Sequence, residues 1–162
     1  MSLEIPKVYL ETTMFNFPFA DDAPKFQRDT LKFFQEIKEG KFIPYSSFYA
    51  MRELRKTADE IKRKKLLQLV DEYKINIIPM SDESERVARI YLSENIIPKH
   101  HLTDALHIAV AVVNNLDFIV SLNFKHIVRK KTIENTEIIN YRLGYKRVMI
   151  YAPGEVIENE AE

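Results

Sequence analysis

Residues 101–114 read His101-Leu102-Thr103-Asp104-Ala105-Leu106-His107-Ile108-Ala109-Val110-Ala111-Val112-Val113-Asn114. Leu102, Ala105, Leu106, Ala109, Val110 and Val113 recur at three- and four-residue steps, which predicts a helix facing a core. Ile108, Ala111 and Val112 fill the other side, so the helix is apolar almost all round and belongs in the interior. Asp104 lies in its opening turns and His107 follows three residues later on the same face. An isolated buried charge costs several kcal/mol even after relaxation, so a carboxylate in this setting needs a partner. Either a nearby cation satisfies Asp104, or the helix dipole does.

At 162 residues the chain is long enough for one domain with a real core. Residues 1–152 read as that domain, and 153–162 as an acidic, flexible tail. The 24 basic and 24 acidic residues cancel, which argues against a surface coated in positive charge but leaves room for a local basic groove. The absence of cysteine excludes disulfides, thiolate zinc sites and cysteine nucleophiles, and fits a reducing cytoplasm. The opening residues form neither a charged nor an apolar signal region, and the apolar run 108–113 is far short of the roughly 20 residues a bilayer span needs. The expectation is a cytoplasmic protein without a membrane partner.

Outward from the central helix, Lys7-Val8-Tyr9-Leu10 is a short β-rich run ending at Glu11-Thr12-Thr13, where the threonine hydroxyls are suited to cap a helix. Phe15, Phe17 and Phe19 follow as apolar packing. A helix is expected from Lys25 to Glu39, stopped by Gly40, and then a strand over residues 42–45. Ser46-Ser47 reads as the cap of a helix holding Glu53, and a basic helix follows over 61–73. Further strands are expected at 75–79, 117–121 and 147–151, with helices at 82–92 and 132–140. Strands alternating with helices imply a parallel sheet covered on both faces, whose ligands gather beyond the carboxyl ends of the strands. Glu11 and Asn123 stand at strand ends, and Glu53 and Asp104 in the opening turns of helices. Four oxygen-bearing side chains can therefore meet at one rim.

Four ordered pieces of the chain resemble the PIN-domain nucleases, and among them the VapC-type toxins: residues 8–13 with their acid-Thr-Thr ending, Glu53-Leu54, Asp104-Ala105-Leu106-His107-Ile108-Ala109, and residues 119–127 around Asn123. The close of the chain, Gly144-Tyr145 through Ile150 and Pro153, matches as well. The resemblance implies a three-layer α/β/α fold with a central parallel sheet of four to five strands. It implies a magnesium- or manganese-dependent endoribonuclease, a phosphodiester hydrolase acting as the toxin of a toxin–antitoxin pair. RNA is then the substrate, a small antitoxin the partner and a homodimer the assembly.

Carried over position by position, the resemblance assigns metal binding and catalysis to Glu11, Glu53, Asp104 and Asn123. Thr12, Thr13 and Ser121 become hydrogen-bond partners that fix carboxylate rotamers. Glu11 stands where aspartate is usual, and Asn123 replaces a carboxylate with an amide whose carbonyl can still meet a hard cation. With three acids in place of four, one metal is expected to bind well and a second weakly, or only with the substrate phosphate. These departures keep open a second reading, a module that binds RNA or protein without cutting. Arg52, Arg55 and Lys56 beside Glu53, with Lys125, Arg129, Lys130 and Lys131 beyond Asn123, are the expected phosphate contacts, each alternatively a solvated surface charge. His107 reads as a satisfied core histidine and stays outside the catalytic set. His100 and His101 point apart, which argues against zinc there.

Overall fold

Val8, Tyr9 and Leu10 are wholly buried, so the first strand is the middle of the sheet and not its edge. The computed structural model describes residues 4–158. Its strands are β1 (Lys7–Leu10), β2 (Ile43–Ser47), β3 (Asn76–Ile78), β4 (Phe118–Val120) and β5 (Met149–Tyr151). Across the sheet they run β3-β2-β1-β4-β5, every pair parallel, with Tyr9 in register with Tyr45 on one side and Ile119 on the other. The helices are α1 (Thr13–Asn16), α2 (Pro24–Lys38), α3 (Phe48–Arg55), α4 (Glu60–Glu72), α5 (Asp82–Ser93), α6 (Leu102–Val113) and α7 (Lys130–Arg142). None of the described helices is long and apolar enough to cross a membrane.

Strand side chains alternate between two cores, as a period of two requires. Val8, Leu10 and Val120 pack with Phe33, Phe34, Leu54 and Leu66 on the face of α2, α3 and α4. Tyr9, Ile119 and Ile150 pack with Val87, Tyr91, Leu106 and Val110 on the face of α5 and α6. Residues 105–112 of α6 are all buried, in keeping with a helix apolar all round. The result is a three-layer α/β/α fold: the alternation of elements predicts the parallel sheet covered on both faces, and the five strands agree with the architecture that the resemblance implied.

Local departures have identifiable causes. Pro24 opens α2, where its missing N–H costs nothing, and Gly40 ends the turn after α2 with φ at +81°. The second strand runs through both serines. Ser47 alone caps α3, accepting from the Ala50 N–H at 3.2 Å, while Ser46 Oγ donates to the Leu10 carbonyl at 2.8 Å and ties β2 to β1. Neither threonine hydroxyl caps α1; both turn to carboxylates described below. Beyond Tyr151 the chain is not a loose tail as far as Glu158. Pro153 is buried, Val156 and Ile157 pack on the α2-side core, and the Glu158 N–H donates to the buried Glu36 carboxylate at 3.1 Å. Residues 159–162 of the expected tail lie outside the described residues.

The chain winds outward from β1 to β3, then crosses to the other flank of β1 for β4 and β5. In open α/β sheets such a reversal leaves a crevice beyond the carboxyl ends of the two strands that flank it, here β1 and β4.

Candidate functional site

Glu11 is the first residue past β1, and its N–H still pairs with the Val120 carbonyl at 3.2 Å, so its position is fixed by the sheet. Its residue exposure is 3%, and its Oε1 accepts from Thr13 Oγ1 at 2.6 Å, Thr13 N–H at 3.2 Å and Ser121 Oγ at 2.6 Å. The same two hydroxyls serve the end of β4: Thr13 Oγ1 accepts from Leu122 N–H at 2.8 Å and Ser121 Oγ from Asn123 N–H at 3.0 Å. One carboxylate oxygen thus stitches the two strand ends together. Its Oε2 makes no hydrogen bond among the described residues.

Asp104 enters from the first turn of α6, a polar position on an otherwise apolar helix. Its Oδ1 accepts from Asn123 Nδ2 at 3.1 Å and its Oδ2 lies 3.6 Å from His101 Nδ1. Burial holds the Asp104 carboxyl above the usual aspartate value, and the nearby Glu11 and Glu53 charges push the same way against His107 and His101. The charges of Glu11 and Glu53 thus reach Asp104, but among the described residues the oxygens of these three acids do not all lie within 4.8 Å of one another.

Glu53 comes from α3. Its Oε1 accepts from Thr12 Oγ1 at 2.6 Å and lies 2.5 Å from His107 Nε2. A carboxylate can only accept, so Nε2 carries a hydrogen. Burial alone would raise Glu53, yet the His107 contact and the Thr12 hydroxyl hold it below the usual glutamate value. Burial likewise opposes charging of His107, but the Glu53 hydrogen bond and the charges of Glu11, Glu53 and Asp104 carry it above the usual histidine value. On its other side, His107 Nδ1 is 2.6 Å from the Tyr9 hydroxyl, which is 2.7 Å from Ser47 Oγ. His107 is thus a satisfied core histidine, as its setting in an apolar helix suggested, and it also holds a site carboxylate. The three-residue step from Asp104 was the one sequence signal for that. Tyr9 and Ser47 carried none.

Asn123 departs from its expected role. The His126 N–H donates to its Oδ1 at 3.0 Å, which fixes the amide and aims Nδ2 at Asp104. The carbonyl expected to face a cation points away from the acids, and the amide meets them as a donor.

The basic residues neighbour the site residues along the chain. Arg52 and Arg55 flank Glu53 on the exposed side of α3, their guanidinium groups over the Tyr49 and Phe48 rings at 5.7 and 5.4 Å. Lys125 and Arg129 follow Asn123 in the loop after β4, with Arg129 Nη1 donating to the Lys125 carbonyl at 3.1 Å. Among the described residues, no lysine or arginine forms an ion pair with Glu11, Glu53 or Asp104; histidines alone do so. Carboxylate oxygen is the donor type that Mg2+ and Mn2+ prefer, but Glu53 already faces His107 and the charge of Lys56, and the three acids do not stand within ligating reach of one another among the described residues.

No family model matches the sequence, and no curated protein matches it. Among solved structures, the chain is similar to one in the crystal structure of VapBC2 from Rickettsia felis bound to a DNA fragment from their promoter. The TM-score is 0.57 and the identity 16%, over 90% of this chain and 98% of that one. At that identity the likeness speaks for the fold.

Proposed function

We propose that the chain is an endoribonuclease that hydrolyses RNA phosphodiester bonds with Mg2+ or Mn2+ held by Glu11, Glu53 and Asp104. The observation that supports this reading is that the charges of Glu11, just past β1, and Glu53, from α3, both reach Asp104 on α6, with no lysine or arginine paired to any of the three among the described residues; to share one ion their oxygens must draw closer than they stand in this structure. Glu11, Glu53 and Asp104 would hold the divalent cation, which when bound would supply polarisation of a phosphoryl oxygen and a lowered pKa for an attacking water. The chain's own groups do the rest. Thr13 and Ser121 hold Glu11 in one rotamer, and Thr12 and His107 do the same for Glu53. Asn123 Nδ2 is a donor beside Asp104, placed to hydrogen-bond a substrate oxygen when one enters. Arg52, Arg55, Lys125 and Arg129 supply phosphate contacts, which position a strand without reading its bases.

The VapBC2 likeness supports a toxin role with a small antitoxin partner, and a cytoplasmic homodimer is part of the same reading. The test is cleavage of single-stranded RNA in Mg2+ or Mn2+. Activity should vanish on chelation and in Asp104→Asn. The tight enclosure of Glu11 Oε1 and the amide at 123 favour the second reading, a binding module that does not cut. That reading is selected if no divalent ion supports cleavage and calorimetry detects no metal binding.

A further inference from the structure

The loop between β4 and α7 buries His126 at 7% exposure, and neither of its ring nitrogens has a hydrogen-bond partner. Buried polar atoms are almost always paired, so an imidazole stripped of water on both nitrogens calls for a ligand. The backbone beneath it is well held: His126 N–H donates to Asn123 Oδ1 at 3.0 Å and its carbonyl accepts from Thr132 Oγ1 at 2.6 Å. Its ring lies 4.1 Å from that of His101, tilted by 39°, and His101 Nδ1 is 3.6 Å from Asp104 Oδ2. One ligating atom from each of His101, Asp104 and His126 lies within 4.8 Å of the other two.

We propose that His101, Asp104 and His126 form a binding site for a borderline transition-metal cation, Zn2+ foremost, next to the oxygen-lined rim and sharing Asp104 with it. Two imidazoles and a carboxylate are the donors such ions prefer, whereas Mg2+ favours oxygen and water. Bonds of about 2.0–2.1 Å make the edge of a tetrahedron roughly 3.4 Å, close to the His101–Asp104 separation, and small side-chain rotations bring in His126. Three protein ligands leave a fourth position for water or a phosphate oxygen. His101 reaches solvent, with 43% of its side chain exposed, and gives the ion a way in. Sequence spacing hid this site, because His126 comes from a different loop.

The test is a titration of the full chain with Co2+ followed by visible absorption, alongside calorimetry with Zn2+. One equivalent should bind and give the intense bands of a four-coordinate nitrogen-containing site. Loss of partners outside the coordination shell costs roughly 10–100-fold in metal affinity, so His101→Gln and His126→Gln should each lose at least about tenfold. Glu53→Gln should keep the spectrum. The exposed His101 carries the test should His126→Gln fail to fold. Equal binding by both histidine variants, no binding at all, or only the weak spectrum of an oxygen-coordinated ion would overturn the site. RNA cleavage in Mg2+ is scored separately, so its absence would remove the nuclease reading and leave the Co2+ result standing.

Discussion

His107 Nε2 lies 2.5 Å from Glu53 Oε1, joining the buried helix α6 to the end of α3 across 54 residues of sequence. The imidazole has no exposed surface and also meets the Tyr9 hydroxyl, so one side chain ties the core of β1 to the rim of the crevice. His107→Leu would leave the Tyr9 hydroxyl without that partner and the Glu53 carboxylate without its buried tether. The cost should be about 2–4 kcal/mol, a fall in melting temperature of roughly 5–15 °C. A double-mutant cycle with Glu53→Gln, read by urea unfolding, should show clear coupling between the two positions. Simple additivity would mean that the contact contributes nothing.

Glu11 depends on hydroxyls in the same way. Thr13→Val and Ser121→Ala each remove a donor from Oε1, which then retains the remaining ones. RNA cleavage should fall by about 10–100-fold in either variant with the circular dichroism spectrum unchanged, because the hydroxyl orients the carboxylate and the fold has other supports. Wild-type rates in both variants would show that the rotamer of Glu11 is set by something else.

The elements legible in the sequence were those decided by local chemistry. Lys7–Leu10 is bounded by a proline and an acid, and α6 is too apolar to lie anywhere but inside. The order of the strands in the sheet was not legible from such patterns; the structure supplies it, and with it the crevice at β1 and β4. The positions of Glu11 and Asn123 past strand ends and of Asp104 at a helix start could be read, whereas Glu53, expected in the opening turns of its helix, lies in the last turn of the short α3, and the direction of each side chain was not legible. Thr12 and Thr13 looked like caps, yet a four-residue helix has little capping to reward, and a charge-assisted bond to a carboxylate is the stronger contact. Asn123 is turned by a backbone N–H, and His107 and His126 are placed by partners remote in sequence. Val156 and Ile157 were overlooked among acidic neighbours and proved to be packing residues.

Asp117 offers a pH test away from the crevice. Its Oδ2 accepts from the Lys7 N–H at 2.8 Å and its Oδ1 from Lys146 Nζ at 2.9 Å, joining the start of β1 to the segment before β5. Its slight burial would raise the carboxyl, but those two donors hold it below the usual aspartate value. A depressed folded pKa adds stability that is complete above the unfolded value of about 3.9 and is lost as pH falls through the folded value. The side chain is 42% exposed, so solvent screening limits the gain to about 0.5–1 kcal/mol. Asp117→Asn should therefore be less stable than wild type near pH 6, by roughly that amount, and the gap should be smaller at about pH 3, below the unfolded value. Urea unfolding at both values checks it; a gap that is unchanged in acid would assign the effect to packing.

Asn123→Asp tests the charge balance at the rim without any need for substrate. In the native chain the amide donates to Asp104 Oδ1 while its oxygen accepts from the His126 N–H. An aspartate can keep the bond to His126, but it sets a second carboxylate against Asp104 where a donor stood. In chelator the variant should melt below wild type, because like charges at close range repel and Asp104 is already held above its usual value by burial and by Glu11 and Glu53. Added Mg2+ or Mn2+ should reverse the order, since a fourth acid strengthens a hard-cation site and ligand binding raises apparent stability with concentration. Thermal melts across a metal titration give both arms in one experiment. A variant that is less stable with and without metal would show that position 123 does not face the cation.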